Sequence, residues 1–400
     1  MAVSRRMVLG GTACATALSV LDSRLALADA VTDRRFVLVI LRGGLDGLAA
    51  VPPYGDRFYR QIRGGLALDD PMRGTGLADL DGFFGLHPAL EPLVPWYRSG
   101  QLLPVHAVAT PYRERSHFDG QDLLETGADR PGGARDGWLN RAIGLLDGGG
   151  RRLGLAVGQT VPLVLRGDTP VASWSPAILP EADDAFLDRL AMLYRDDAVF
   201  GPMLAEAVSV DAMAESALAG ADRRSSGRRA AEAADLARVA GGMLAAPDGP
   251  RIAVLEVSGW DTHARQGTET GQLARSLTGL AGGLTELRAA LGPAWRETIV
   301  AVVTEFGRTV APNGTGGTDH GTGAAALLAG GRVAGGQVLA DWPGLAPGRL
   351  YEGRDLAPTL DLRSVMTALL REHLELPADA VSRVVFPDGP AASLTGLVAA

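Results

Sequence analysis

Lysine is missing altogether from this 400-residue chain, and cysteine occurs once, at Cys14. Every one of its 38 cationic residues is therefore arginine, which excludes lysine Schiff-base chemistry and a phosphate-loop lysine. With its one thiol in the first thirty residues, the rest of the chain has no disulfide, no thiolate metal ligand and no cysteine nucleophile. Positive charge is also in deficit: 38 Lys+Arg against 46 Asp+Glu give a net charge of −8. An acidic, all-arginine surface gives no support for nucleic-acid binding. Long apolar runs are scarce, and the stretch over residues 7–21 falls short of the ~20 residues a membrane span needs.

What the N-terminus does carry reads as an export signal. Ser4-Arg5-Arg6-Met7-Val8-Leu9 is a twin-arginine pattern, followed by the short apolar stretch, and Ala26-Leu27-Ala28 and Ala28-Asp29-Ala30 are small-x-small cleavage sites. Residues 1–30 are therefore expected to be a signal peptide. Residues 31–400 would form a periplasmic or secreted protein with no stable membrane span after cleavage. The full chain is 46% hydrophobic, and residues 31–400 are long enough for one large α/β domain. Residues 183–246, rich in alanine, read as a helical insertion, and the run Arg223-Arg224-Ser225-Ser226-Gly227-Arg228-Arg229 reads as a solvated linker.

Largely apolar runs mark buried strands at residues 36–41, 102–109, 252–257 and 298–304, with a further apolar run at 324–329. Helices are expected at 88–98, 116–126, from 137, over 269–291 and over 362–374. Ser116 sits at an N-cap position with Asp119 at the capping-box position. Strands alternating with helices predict a parallel sheet, and ligands in such sheets collect beyond the carboxyl ends of the strands.

Chemistry-bearing residues stand at those ends. Asp46 follows the first strand in Arg42-Gly43-Gly44-Leu45-Asp46-Gly47; Gly259-Trp260-Asp261-Thr262-His263 follows the third. Glu305-Phe306-Gly307-Arg308 follows the fourth, and Gly317-Thr318-Asp319-His320-Gly321 precedes the run at 324. Asp, Glu and His are the ligands of hard and borderline divalent cations, so Asp46, Asp261, His263, Glu305, Asp319 and His320 are candidate metal ligands. Bland readings stand beside them: Asp46 as an Asx-turn residue, Asp261 as a cap, Glu305 and Arg308 as a salt bridge, Asp319 as the partner that orients His320. Arg308 and Arg115 offer forked donors for phosphate or sulfate. Ser116, at a helix N-terminus, is a candidate nucleophile with Thr110 as competitor; His117 is a ligand, a base or simply buried. His87, His106 and His373 read as core or surface residues.

These segments resemble, in this order, the domain of unknown function 1501 family: the twin-arginine start, the motif around Asp46, Arg115-Ser116-His117-Phe118-Asp119-Gly120-Gln121-Asp122, Gly259 to His263, Thr304-Glu305-Phe306-Gly307-Arg308-Thr309 and Gly317 to Gly321. That family is similar to a branch of the alkaline phosphatase/sulfatase superfamily. The resemblance implies a three-layer α/β sandwich with a mixed, mainly parallel central sheet and one or two divalent metals (Zn, Mn, Mg or Ca) at the strand ends. It places Asp46 at the first-strand metal carboxylate, Ser116 near the nucleophile, and Asp261, His263, Glu305 and His320 among the metal ligands. Asp355-Leu356-Ala357-Pro358-Thr359-Leu360 resembles a segment common in sulfatases and phosphomutases. Phe306 stands where a paired histidine belongs, and the Cys/Ser-x-Pro-x-Arg element of formylglycine sulfatases is missing.

The resulting expectation is an exported metal-dependent hydrolase of phosphate-type, before sulfate-type, esters on a small molecule or polymer. Ser116, His117 and Arg308 are its candidate catalytic residues. The alternative is an exported binding or assembly protein, with a protein partner, that keeps the fold without turnover.

Overall fold

The computed structural model describes residues 33–68, 76–146, 153–176, 184–218, 228–390 and 394–399. The expected signal peptide and most of the basic run at 223–229 lie outside the described residues. Eight strands make one sheet: β1 (Arg35–Arg42), β2 (Leu102–Ala109), β3 (Gly154–Val157), β4 (Ala172–Trp174), β5 (Ile252–Ser258), β6 (Thr298–Thr304), β7 (Ala324–Ala329) and β8 (Leu360–Asp361), in the order β8-β2-β7-β6-β1-β5-β3-β4. All neighbours pair in parallel except β7, which runs antiparallel to both β2 and β6. The mixed, mainly parallel sheet expected from the apolar runs is the one observed.

β1 shows how the sheet divides the interior. Val37, Val39 and Leu41 face one core, and Phe36, Leu38 and Ile40 face the other, as the two-residue period of a strand requires. A strand apolar on both faces must be covered on both faces. The helices that cover them are α1 (His117–Thr126), α2 (Trp138–Leu145), α4 (Phe200–Leu218), α5 (Arg228–Ala245), α6 (Gln272–Leu291) and α7 (Leu362–Glu372), while α3 (Asp184–Leu193) lies outside both cores. On the first face α6 lays down Leu273, Leu277, Leu280, Leu284, Leu287 and Leu291 at helical spacing, beside Val239, Ala240 and Met243 of α5. On the second, Leu139 and Ile143 of α2 share one core with Val365, Met366 and Leu369 of α7. The result is a helix–sheet–helix sandwich.

One expected helix breaks in two. Residues 88–98 form a 3-10 turn, Pro88–Leu93, and then a short α-helix, Val94–Arg98, because Pro92 and Pro95 each withhold the N–H that one continuous ladder needs. No helix among the described residues is long and apolar enough to cross a membrane.

The antiparallel strand matters for the site. Loops leaving β1, β2, β5 and β6 emerge at one edge of the sheet. Because β7 runs the other way, the loop that enters it arrives at that same edge.

Candidate metal centre

Three such loops deliver one cluster. His117 opens α1, which follows the β2 exit loop; Asp261 and His263 follow β5; His320 precedes β7. Ligand atoms of His117, Asp261 and His320 lie within 4.8 Å of one another. His263 joins them, with Nε2 2.9 Å from His320 Nε2 and 3.0 Å from Asp261 Oδ1. His320 Nε2 is 3.4 Å from Asp261 Oδ1, and His117 Nε2 is 3.6 Å from Asp261 Oδ2.

The other nitrogen of each ring decides what these atoms are. His117 Nδ1 is 2.8 Å from Glu305 Oε1, His263 Nδ1 is 2.9 Å from Asp319 Oδ1, and His320 Nδ1 is 2.8 Å from the carbonyl of Arg115. Ionised carboxylates and carbonyls only accept hydrogen bonds, so each Nδ1 carries the proton and donates. In the neutral rings each Nε2 is then a bare lone pair. Three such lone pairs and the Asp261 carboxylate face one another, and at 2.9 Å the His263 and His320 pair has acceptor against acceptor. A cation between them removes that repulsion. The spacing fits one: metal–nitrogen bonds of 2.0–2.1 Å give a tetrahedron with edges of about 3.3 Å, and the separations above fall on either side of that length.

Two glycines let the backbone close around the cluster. Gly43 has φ 125°, and a Cβ there would lie 2.5 Å from the Asp261 amide nitrogen; at Gly44, φ 78°, it would meet the Phe306 ring at 2.9 Å. The Gly43 N–H donates to Glu305 Oε1 at 2.8 Å. Phe306 is buried and packs its ring against those of His117 and His320, with centroids 4.9 and 5.1 Å away. It forms an apolar wall beneath two imidazoles.

The sequence profile described as "Protein of unknown function (DUF1501)" matches residues 100–385. The chain belongs to the DUF1501 family. No curated protein matches it. Among solved structures, the phosphonate monoester hydrolase of Agrobacterium radiobacter is 13% identical, with 90% of this chain and 79% of that one covered and a TM-score of 0.36. The 2-O GAG sulfatase BT1596 is 14% identical, with 90% and 76% covered and a TM-score of 0.33. The C-terminal periplasmic domain of EcEptC from Escherichia coli, in complex with Zn, is 9% identical, with 76% and 74% covered and a TM-score of 0.35. At these TM-scores the overlaps say nothing about the chemistry of this DUF1501 chain.

Several residues expected in the site of this DUF1501 protein stand elsewhere or do something else. Asp46 is not among the clustered donors. It is 1% exposed, its Oδ2 takes Arg63 Nη2 at 2.5 Å and Gln266 Nε2 at 2.7 Å, and its Oδ1 takes the Ala49 N–H at 3.2 Å. The fully buried Arg63, on the short helix Tyr59–Arg63, neutralises it. Glu305 presents no free oxygen: Oε1 accepts from Gly43, His117 and Gln121, and Oε2 from Thr304. It orients His117. Asp319 likewise orients a ring, that of His263 and not, as expected, that of His320. His117, taken as a catalytic group, stands among the clustered donors.

The two expected anion-binding arginines of this DUF1501 protein are spent internally. Arg308 is buried and donates to Asp261 Oδ1 at 2.7 Å, to the Gly43 carbonyl, and to the carbonyl and hydroxyl of Thr318. It fixes Asp261. Arg115 bonds Asp355 and Glu352. Ser116 precedes α1 but makes no side-chain cap, and Asp119 accepts from the Tyr112 hydroxyl at 3.1 Å in place of a capping box. Thr110 is buried, with its hydroxyl against the Tyr112 N–H. His87, His106 and His373 are core residues, each with Nε2 on a backbone carbonyl.

Electrostatics follow from these contacts. The Glu305 hydrogen bond holds His117 above the usual histidine range despite partial burial. Burial opposes ionisation of Glu305, yet the bonds from His117, Gln121 and Gly43 outweigh it and keep its carboxyl low. Asp261 is also held low, since burial is outweighed by the Arg308 hydrogen bond and charge. Burial pushes His320 down, towards the neutral ring a cation requires.

Proposed function

We propose that the chain is an exported metal-dependent hydrolase of phosphate-type esters, with one divalent cation held by His117, Asp261, His263 and His320. The observation that supports this reading is the convergence of four acceptors, each fixed from behind by its own partner: Glu305, Arg308, Asp319 and the Arg115 carbonyl. Such outer partners are the usual supports of metal-bound histidines. Three imidazoles and one carboxylate suit Zn2+ or another first-row ion better than Ca2+ or Mg2+, which favour all-oxygen shells. By expanding to five-coordinate, such an ion would take and polarise an ester oxygen, the chemistry a hydrolytic centre needs.

The chain's own residues would do the rest. Ser116 directly precedes His117, and its hydroxyl is not spent on capping α1. From there it attacks the ester phosphorus, forming an O–P bond as the alcohol leaves; water then releases phosphate. Glu305 and Asp319 keep two ring protons on Nδ1, and Phe306 excludes water behind His117 and His320. The twin-arginine pattern at Arg5 and Arg6 supports export, and changing both to lysine should leave the precursor in the cytoplasm.

A second reading, a non-catalytic cation-binding protein, has an observation in its favour. Arg308 and Arg115, the expected clamps for a phosphoryl group, are both consumed internally. One experiment separates the two readings. Metal content of the purified mature chain is measured, and phosphomonoester, phosphodiester and sulfate ester hydrolysis are assayed for the wild type, Ser116→Ala and His320→Ala. One tightly bound ion with turnover lost in both variants is the expected result. A stoichiometric ion without turnover leaves the second reading, and a wild-type chain that retains no metal refutes both.

A further inference from the structure

The segment Asp355 to Leu360, singled out in the sequence, has no part in the cluster itself, yet its first residue grips His320 from two sides. Asp355 is 0% exposed. Its Oδ2 accepts from Arg115 Nε at 2.8 Å and its Oδ1 from Arg354 Nε at 2.9 Å. Each arginine then reaches His320 by a different route. The Arg115 carbonyl accepts the Nδ1 proton of His320, and the Arg354 guanidinium donates to the His320 carbonyl. The backbone of Asp355 is itself held by bridges to Thr309 and Tyr351, and the Thr309 N–H bonds the carbonyl of Asp319, next to His320.

Arg115 also sits in the left-handed region, at φ 67°. That conformation costs a non-glycine residue energy and persists only where the surroundings enforce it. Asp355 and Glu352 anchor its side chain, and the His320 ring holds its carbonyl. Of the two carboxylates, Asp355 is the buried one, so it is the fixed end of this anchor.

We infer that Asp355 is a positioning residue for the cation centre: acting through Arg115 and Arg354, it holds the His320 ring with Nδ1 protonated and Nε2 bare towards the other donors. This rests on the cation-binding reading of the cluster. An ion pair that merely tied two loops together would not have to converge on the ring and backbone of one ligand.

The test is Zn2+ affinity, measured on the metal-free chain by competition with a chromophoric chelator. Loss of an outer partner weakens metal binding by about 10- to 100-fold, and that loss is expected for Asp355→Asn. Arg354 is 45% exposed, so Arg354→Met tests the second arm without burying an unpaired charge; a several-fold loss is expected. Arg115→Gly and Arg115→Ala remove the same guanidinium, but only glycine takes a positive φ freely. The glycine variant should therefore bind Zn2+ several-fold more tightly than the alanine variant. Glu352→Gln touches only the outer nitrogen of Arg115 and should match the wild type. In the metal-free chain, nitrogen NMR should find the His320 ring as one tautomer in the wild type and as a mixture in Asp355→Asn. Unchanged affinity in both Asp355→Asn and Arg354→Met, or equal loss in the two Arg115 variants, overturns the positioning role alone. A wild type that binds no Zn2+ overturns the cation reading beneath it.

Discussion

Glu305→Gln isolates the contribution of one outer carboxylate to the centre. The glutamine is nearly isosteric, and its oxygen still accepts from Gly43, His117 and Gln121. Its NH2 falls where Oε2 now meets Thr304 Oγ1, which can accept because that hydroxyl is also placed 2.9 Å from the Leu41 carbonyl. The fold should therefore survive. What changes is the 2.8 Å bond to His117 Nδ1, from charge-assisted to neutral. Bonds to charged groups contribute about 1.5–3 kcal/mol and neutral ones about 0.5–1.5, so about 1–1.5 kcal/mol of support for the ligand is removed. At about 1.4 kcal/mol per decade, Zn2+ affinity should fall roughly tenfold, the lower end of what outer-partner losses cost. The change also lowers the proton affinity of His117, so the titration belongs at about pH 8, where protons no longer compete. Affinity within twofold of the wild type, with an unaltered melting curve, would refute the idea that Glu305 serves His117.

Other expectations concern the scaffold. Arg63→Met leaves Asp46 as an uncompensated buried charge and should cost about 3–5 kcal/mol in urea unfolding; adding Asp46→Asn should restore much of it. Gly43→Ala places a methyl 2.5 Å from the Asp261 backbone at φ 125°, so Zn2+ binding should drop by more than tenfold, read by the same competition titration. Burial lowers His106 and His373 to about 4. Their folded values lie below the ordinary 6.5 of the unfolded chain, so unfolding takes up protons between these limits. Stability should be complete above pH 6.5 and fall towards pH 4, by up to about 3 kcal/mol for each histidine. Thermal melts across that window should show a shallower acid limb for His106→Gln than for the wild type.

The strands were legible because sheet burial leaves a blunt trace: residues 36–41 and 299–303 are apolar without interruption, and each is a strand within a residue or two. The antiparallel sense of β7 left no such trace, since an apolar run reads the same in both directions. Asp261, His263 and His320 were legible as donors from their places beside strand ends. The fate of Asp46 was not, because its partner Arg63 rides on a five-residue helix with no periodic pattern to announce it. Nor was the division of labour between ligands and their supports. Glu305 and His117 are 188 residues apart, and only the folded chain shows which of them faces the other donors. Phe306, which marked a lost ligand by resemblance, is the wall against which His117 and His320 pack.

The reversed seventh strand has a temporal consequence. His320 reaches the cluster only when β7 has inserted between β2 and β6, and those two neighbours are nearly two hundred residues apart in the chain. Pairings of such long range form late, because loop closure must be met before they contribute. A nascent chain that has emerged only to its sixth strand therefore has the aspartate and two of the imidazoles, but no latch. Metal capture in this protein would be an act of completion, a seal that closes on a finished sheet and on nothing shorter.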